Sequence, residues 1–499
     1  MTQGAASEDI AALARGGRTN FLGFLLRLAA RLPFLFVAGR LYGAEALGRF
    51  ASALVVVELV ALICSLGEKR GLAQRLSDGT DEPPINLIAD ALLLAFLLGG
   101  GAALFFWFVP QPLFPSGVYT DLDKLLVLAI PAYAMTEIVL AAQAYRFDIA
   151  TTVRARAIVE PWTISIGAAA LYFVVPEAGL PLAYLLSILA GLVAALWPFH
   201  RSYGLPRGWR PRPGRMVRLT WRALPLAGAD AVEWGTRRLD IFILGLFAAP
   251  AVVGVYYIAQ QVASLPQKLK SSFEPILGPV ITRNLKTRDY AAIAAQVRQV
   301  GFWIIAAQAG IVLALAIPGE AIMGLVGPRF VGGTGALAIL LAAEVIASIA
   351  VVSEAALVYM ARLRNLLISL GTIALQAVLT VGIIQAVDAY GYPPAFQGAG
   401  AALALLLALG TASLVKAWLL GRLLSEGVGN WRWALLWAAV PAAFVGWLAT
   451  LLPEWMELAF GIPAILATYG AIIWRFGFGP EDRTLFRRNL DSQVPAGTP

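Results

Sequence analysis

The chain has one cysteine, Cys64, and one histidine, His200, and only 14% of its 499 residues are charged. A lone cysteine excludes an intramolecular disulfide and offers no metal cluster. No P-loop, glycine-rich dinucleotide fingerprint, HExxH or paired-cysteine motif occurs, so ATP hydrolysis and metal catalysis have no visible site, and neither a cofactor nor enzymatic activity is expected. Asp121-Leu-Asp123 has the form of the acidic pair that holds a metal and a sugar nucleotide, but it falls on the predicted outer side, where no nucleotide sugar is available. His200 lies at a cytoplasmic helix end, where an interfacial structural role is expected. Residues 1–18 lack an apolar core, so no cleavable signal is evident.

What the sequence does have is apolar length. At 59% hydrophobic it is too apolar and too long for one soluble core. A crossing needs about 20 apolar residues, and fourteen segments qualify: 19–41, 45–66, 86–109, 122–143, 155–175, 179–199, 220–248, 251–274, 298–317, 335–359, 364–386, 397–421, 433–452 and 456–475. The formal charge of +8 could point to nucleic acid, but its distribution decides against that. With a cytoplasmic N terminus, 30 of the 38 Lys and Arg residues fall on the cytoplasmic side, as the positive-inside rule requires of a multi-pass protein with both termini cytoplasmic. The stretch 146–156 is counted there as connection, and 289–299 reads either as a short interfacial helix or as simple linker. Outer connections are short, which leaves an outward-working enzyme little room to fold.

One apolar segment carries charge at helical spacing. At 100° per residue Asp230, Glu233, Arg237 and Asp240 share a stripe, and Arg238 lies outside it. A charge at the bilayer centre costs at least about 2.5–3.5 kcal/mol, so four in one span must face a wet or partnered interior. Arg27 and Arg31, with Asn20 seven residues before Arg27, mark one face of the first segment. Sliding the chain by 206 residues places Arg31 on Arg237, Phe36 on Phe242, Gly39 on Gly245, Gly48 on Gly254 and Ala53 on Ala259, with Phe50 meeting Tyr256. This points to an internal duplication: lobes at 1–200 and 219–423 joined by a basic linker at 201–218, then two further spans within 424–476 and a tail at 477–499. Six being even, the repeats are parallel. The expected fold is an all-α polytopic membrane protein with about fourteen helices, two six-helix lobes around a central cavity and two C-terminal helices. Glu58, Asp90, Glu137, Glu160, Glu344 and Glu354 also sit within or at the ends of spans.

The two-lobe plan and the stretches RLPFLFVAGRLYGAEALGRF from Arg31 to Phe50 and SLGEKRGL from Ser65 to Leu72 resemble the polysaccharide transporter family of the multidrug/oligosaccharidyl-lipid/polysaccharide exporter superfamily. The resemblance implies a Wzx-type flippase of the bacterial inner membrane. It would move a polyprenyl-diphosphate-linked oligosaccharide for O-antigen, capsule or exopolysaccharide synthesis by alternating access, with the polymerase and glycosyltransferases of its pathway as possible partners. Arginine suits such a cargo, because its planar fork can give a phosphate two parallel hydrogen bonds and it is more weakly hydrated than lysine. Arg27, Arg31, Arg237 and Arg238, with Asn20, are therefore the substrate candidates, and Asp230, Glu233, Asp240 and Glu58 the ion-coupling candidates. A drug/ion antiporter, which would want an acidic and aromatic cavity, and a membrane-embedded polymerase or ligase are the alternatives.

The charge bias predicts that a cysteine at Ser202, in a Cys64→Ala background, reacts with impermeant thiol reagents only after the inner membrane is permeabilised. Labelling of intact spheroplasts would reverse the topology.

Overall fold

The computed structural model describes residues 32–77, 83–206, 208–271, 281–479 and 482–485, so the candidates Asn20, Arg27 and Arg31 lie outside the described residues. Among those described, helices make up the whole regular structure, the arrangement in which every backbone N–H and C=O can be satisfied within its own segment in lipid. Nine helical runs are long and apolar enough to cross a membrane, and Leu32–Cys64 holds the first two expected segments. A helix also lies over each of the remaining segments.

Lobe one comprises α1 (residues 32–42), α2 (Gly43–Cys64), the short α3 (Glu68–Ser77), α4 (Pro84–Phe108), α5 (Asp123–Tyr145), α6 (residues 149–172) and α7 (Gly179–Tyr203). Lobe two comprises α8 (Pro213–Phe247), α9 (Pro250–Ser271), α10 (Tyr290–Ala316), α11 (Gly319–Val326), α12 (Thr334–Ser348), α13 (Val351–Met360), α14 (Arg362–Ala389) and α15 (Ala395–Leu424). The appended α16 (Ala434–Ala449) and α17 (Glu454–Gly477) pack on each other and on α10.

The two lobes turn at matching places. Gly43, at φ +80°, ends α1, and 206 positions later Ala249, with the extended Ala248 before it, separates α8 from α9. Just inside these turns α2 and α9 cross backbone to backbone. A methyl group on Gly48 would run into the carbonyl of Pro250, and one on Gly254 into the carbonyl of Ala44. Since Ala44 and Pro250 are themselves 206 apart, the contact is reciprocal, as at a two-fold axis. Phe50 and Tyr256, the matched aromatics, are both fully buried beside it.

Several expected boundaries move. The stretch 289–299 is neither linker nor separate interfacial helix: Asp289 caps Ala292 N–H at 2.9 Å and α10 then runs unbroken to Ala316. The tenth apolar segment is not one helix; it breaks between Ser348 and Val351, and Asn430 satisfies the carbonyl of Ile349 at 2.9 Å. The inter-lobe linker shortens to 204–212, because Pro213 starts α8 at the position where a missing N–H costs nothing. Trp209 of this linker and Arg215 in the first turn of α8 both bind buried Asp90 on α4, which fastens the join between the lobes to lobe one.

At the chain's far end Asp482 accepts from Arg432 at 2.6 Å, from the Trp303 indole at 2.8 Å and from Gly479 N–H at 2.9 Å. Burial pushes this carboxyl up, but those three donors outweigh it and hold it below its ordinary range. A depressed folded value means the stabilisation is present above the unfolded value of about 4 and is lost as pH falls through the folded one. Asp482→Asn should therefore lower stability by about 1–3 kcal/mol at pH 7. In thermal melts of the purified protein the difference from wild type should shrink below about pH 4; equal melting temperatures at pH 7 would show the anchor to be idle.

Candidate substrate and ion site

The charged stripe of α8 divides by depth. At its centre Glu233 and Arg237 are 47% and 43% exposed and 3.6 Å apart, one helical turn from each other. At its edges Asp230 and Asp240 are buried. A helix shows this pattern when the middle of a stripe fronts open space and its flanks pack on neighbours.

Asp240 is fully buried and accepts from the Tyr256 hydroxyl at 2.6 Å and from Gln260 Nε2 at 2.9 and 3.1 Å. Gln260 Oε1 in turn accepts from Arg238 Nη1 at 3.0 Å, and Arg238 Nε lies 3.9 Å from Glu58 on α2. Five side chains on three helices thus form one relay, Glu58 to Arg238 to Gln260 to Asp240 to Tyr256, and it crosses from lobe one to lobe two. Arg238, off the stripe, is the residue that makes the crossing. Tyr256 and Gln260 escaped sequence reasoning; their signal was a pair of polar residues four apart on α9, one face of a helix.

The duplication supplies an internal comparison. Subtracting 206 from Asp240, Tyr256 and Gln260 gives Phe34, Phe50 and Leu54. Lobe one fills the same places with carbon, and the Phe34 and Phe50 rings stand 6.0 Å apart.

A second polar cluster adjoins the relay. Arg156 binds Glu137, gives Glu160 bonds of 2.9 and 3.0 Å, and places its guanidinium 4.5 Å from the centre of the Tyr133 ring. Arg156, counted from the sequence among connection charges, lies instead in the helical run that begins at Ile149. Glu354 pairs with buried Lys416 at 3.0 Å. Asp123 is taken up by Arg49 at 3.0 Å and by Thr120 N–H at 2.8 Å, and Asp121 by Lys124 at 2.7 Å, so the acidic pair is engaged in local structure. His200 is exposed at the end of α7.

Chemically, Arg237 offers a half-exposed guanidinium of the kind that grips phosphate, and the relay gives carboxylates at Glu58 and Asp240 through which a cation or proton could alter the join between lobes.

Residues 37–317 match the family described as polysaccharide biosynthesis protein. No curated protein matches. Among solved structures, the lipid II flippase MurJ in an inward closed conformation superposes with a TM-score of 0.68 at 12% identity, over 93% of this chain and 98% of its own. An inward-facing multidrug resistance transporter of the MATE family, in the MOP superfamily, gives 0.63 at 14% identity, over 81% and 98%. The MATE transporter VcmN of Vibrio cholerae gives 0.57 at 13%, over 85% and 99%.

If the Glu58–Arg238 pair ties the lobes, a double-mutant cycle with Glu58→Gln and Arg238→Gln should return a coupling of about 0.5–1 kcal/mol in unfolding of the purified protein. Strict additivity would mean that the two groups merely lie near each other.

Proposed function

Since the chain belongs to the family of polysaccharide biosynthesis proteins and has the fold of MOP-superfamily transporters, we propose that it is a flippase. It carries a polyprenyl-diphosphate-linked oligosaccharide across the bacterial inner membrane by alternating access. The observation that carries this reading is the half-exposed Arg237 in the middle of α8, the proposed seventh span, next to an arginine that forms an ion pair across the lobe boundary. An exposed guanidinium at that depth is costly in lipid and useful against a diphosphate. A protein described as a flippase of lipid II shares the fold, so a lipid-linked cargo is compatible with it.

In the proposed topology fourteen helices cross the bilayer, both termini and the linker at 201–218 are cytoplasmic, and the lobes are 1–200 and 219–423. The reciprocal crossing of α2 and α9 supports two equivalent lobes. Arg27, Arg31 and Asn20 complete the proposed substrate face with Arg237 and Arg238. Asp230, Glu233, Asp240 and Glu58 are the proposed coupling groups, and of these Glu58 and Asp240 are tied into the one relay that spans both lobes. The antiporter reading draws on the buried acidic and aromatic pair of Asp240 and Tyr256, but it leaves the exposed arginine without a task.

Replacing Arg237 by Ala should stop glycan export while the protein still accumulates in the membrane. Arg237→Lys keeps the charge beside Glu233 and loses the two-pronged geometry, so export should fall about tenfold with little change in thermal stability. Normal export by the Lys variant, with poor accumulation of the Ala variant, would make Arg237 structural and sink the assignment.

A further inference from the structure

Two cavities open at the end of the molecule where Gly43 lies, and they occupy corresponding places in the two lobes. One, of about 220 Å³, is enclosed by Tyr42, Arg49, Asp123, Tyr172 and Glu177, with Ala46 on the α2 wall. The other, of about 260 Å³, is enclosed by Val252 and Val255 of α9, Gly333 before α12 and Gly398 near the start of α15. The shift of 206 carries Ala46 onto Val252 and Arg49 onto Val255. Both cavities also take a wall from the turn that opens the fourth expected span and one from the start of the sixth; the first adds Leu41, Tyr42 and Tyr172, and the second adds Ala44 and Glu45 of α2. The fold builds this cavity twice.

Its lining differs between the copies. In lobe one the Arg49 side chain, 14% exposed, binds the buried carboxylate of Asp123 at 3.0 Å and Glu45 at 3.4 Å. In lobe two the position of Arg49 is a valine, and the charged lining groups, Glu45 and Arg329, are both exposed. The fold therefore forms a cavity here without a buried ion pair, and such a pair brings a desolvation penalty that hydrocarbon avoids. The lobe-one cavity also has a flat apolar wall. Tyr42 and Tyr172 meet edge to face at 5.3 Å, and the Tyr42 hydroxyl, donating to the Ala168 carbonyl at 2.7 Å, fixes that ring.

A guanidinium that donates, carboxylates that accept and fixed aromatic rings together suit a pyranose, whose hydroxyls do both and whose C–H face is apolar. Among the lining groups Asp123 and Glu177 outnumber Arg49, which disfavours an acidic sugar. We propose that the lobe-one cavity is a glycan subsite that holds an uncharged pyranose of the cargo at the end from which, in the topology above, the glycan leaves. This rests on the flippase reading for its cargo.

The test uses the full chain in detergent, with methyl α-glucopyranoside and methyl glucuronoside as probes and saturation-transfer NMR as the readout. The wild type should bind the glucoside and bind the glucuronoside more weakly. Glu177→Gln and Tyr172→Leu should each weaken glucoside binding about tenfold, while Arg329→Gln, in the other cavity, should leave it unchanged. No transfer to the wild type, equal transfer in the Glu177 and Tyr172 variants, loss in the Arg329 variant, or a preference for the glucuronoside would each overturn the assignment. Arg237→Ala separates the two readings. It should bind the glucoside normally yet export no glycan; lost binding would count against the lobe-one subsite, and normal export against the flippase reading alone.

Discussion

A charge inside an apolar slab must be matched, and this constraint organises the polar interior of the molecule. Glu58 meets Arg238, Arg156 meets Glu137 and Glu160, Lys416 meets Glu354, and Arg215 meets Asp90. Apart from Arg156–Glu160, which lie one turn apart on α6, the partners sit on different helices, so electrostatics also helps decide which helices stay adjacent. Buried pairs are a poor source of stability, because well-packed apolar residues of similar volume often do as well or better. The chain contains its own demonstration: where lobe two has Asp240, Tyr256 and Gln260, lobe one has Phe34, Phe50 and Leu54. Retaining the polar version in one copy only makes the two lobes chemically unequal at that seam.

Much of the fold was legible because lipid imposes a length rule that apolar runs announce directly. The duplication was legible at Gly48 and Gly254, which the shift of 206 aligned and which the structure then places against each other's strand of backbone. Pairing across lobes was not. Periodicity reports which residues share a face of one helix, and nothing in it joins Glu58 to Arg238, which lie far apart in sequence. Arg156 was hidden for a related reason, since a basic residue near an expected boundary reads as topology charge until the helix is seen to begin earlier, at Ile149. The break between Ser348 and Val351 left no mark because the run stays apolar through it, and the side chain that satisfies the broken turn, Asn430, comes from a distant segment. The first thirty-one residues, which hold three of the sequence candidates, lie outside the described residues, so only the lobe-two candidates could be placed.

The crossing of α2 and α9 has a mechanical consequence. Gly48 and Gly254 bring bare backbone to bare backbone near one end of each helix, so this is the point of closest approach about which a relative tilt of the two rods would turn. From Gly48 to the end of α2 at Cys64 the helix extends about 24 Å at 1.5 Å per residue, so a tilt of only about 20° at the pivot would swing the far end by about 8 Å. Glu58 sits partway along that arm, facing Arg238 on α8, where a small rotation would already exceed the reach of an ion pair. The smallest residues in the seam thus set a fulcrum, and the charged ones set how far it turns before their hold on each other is lost.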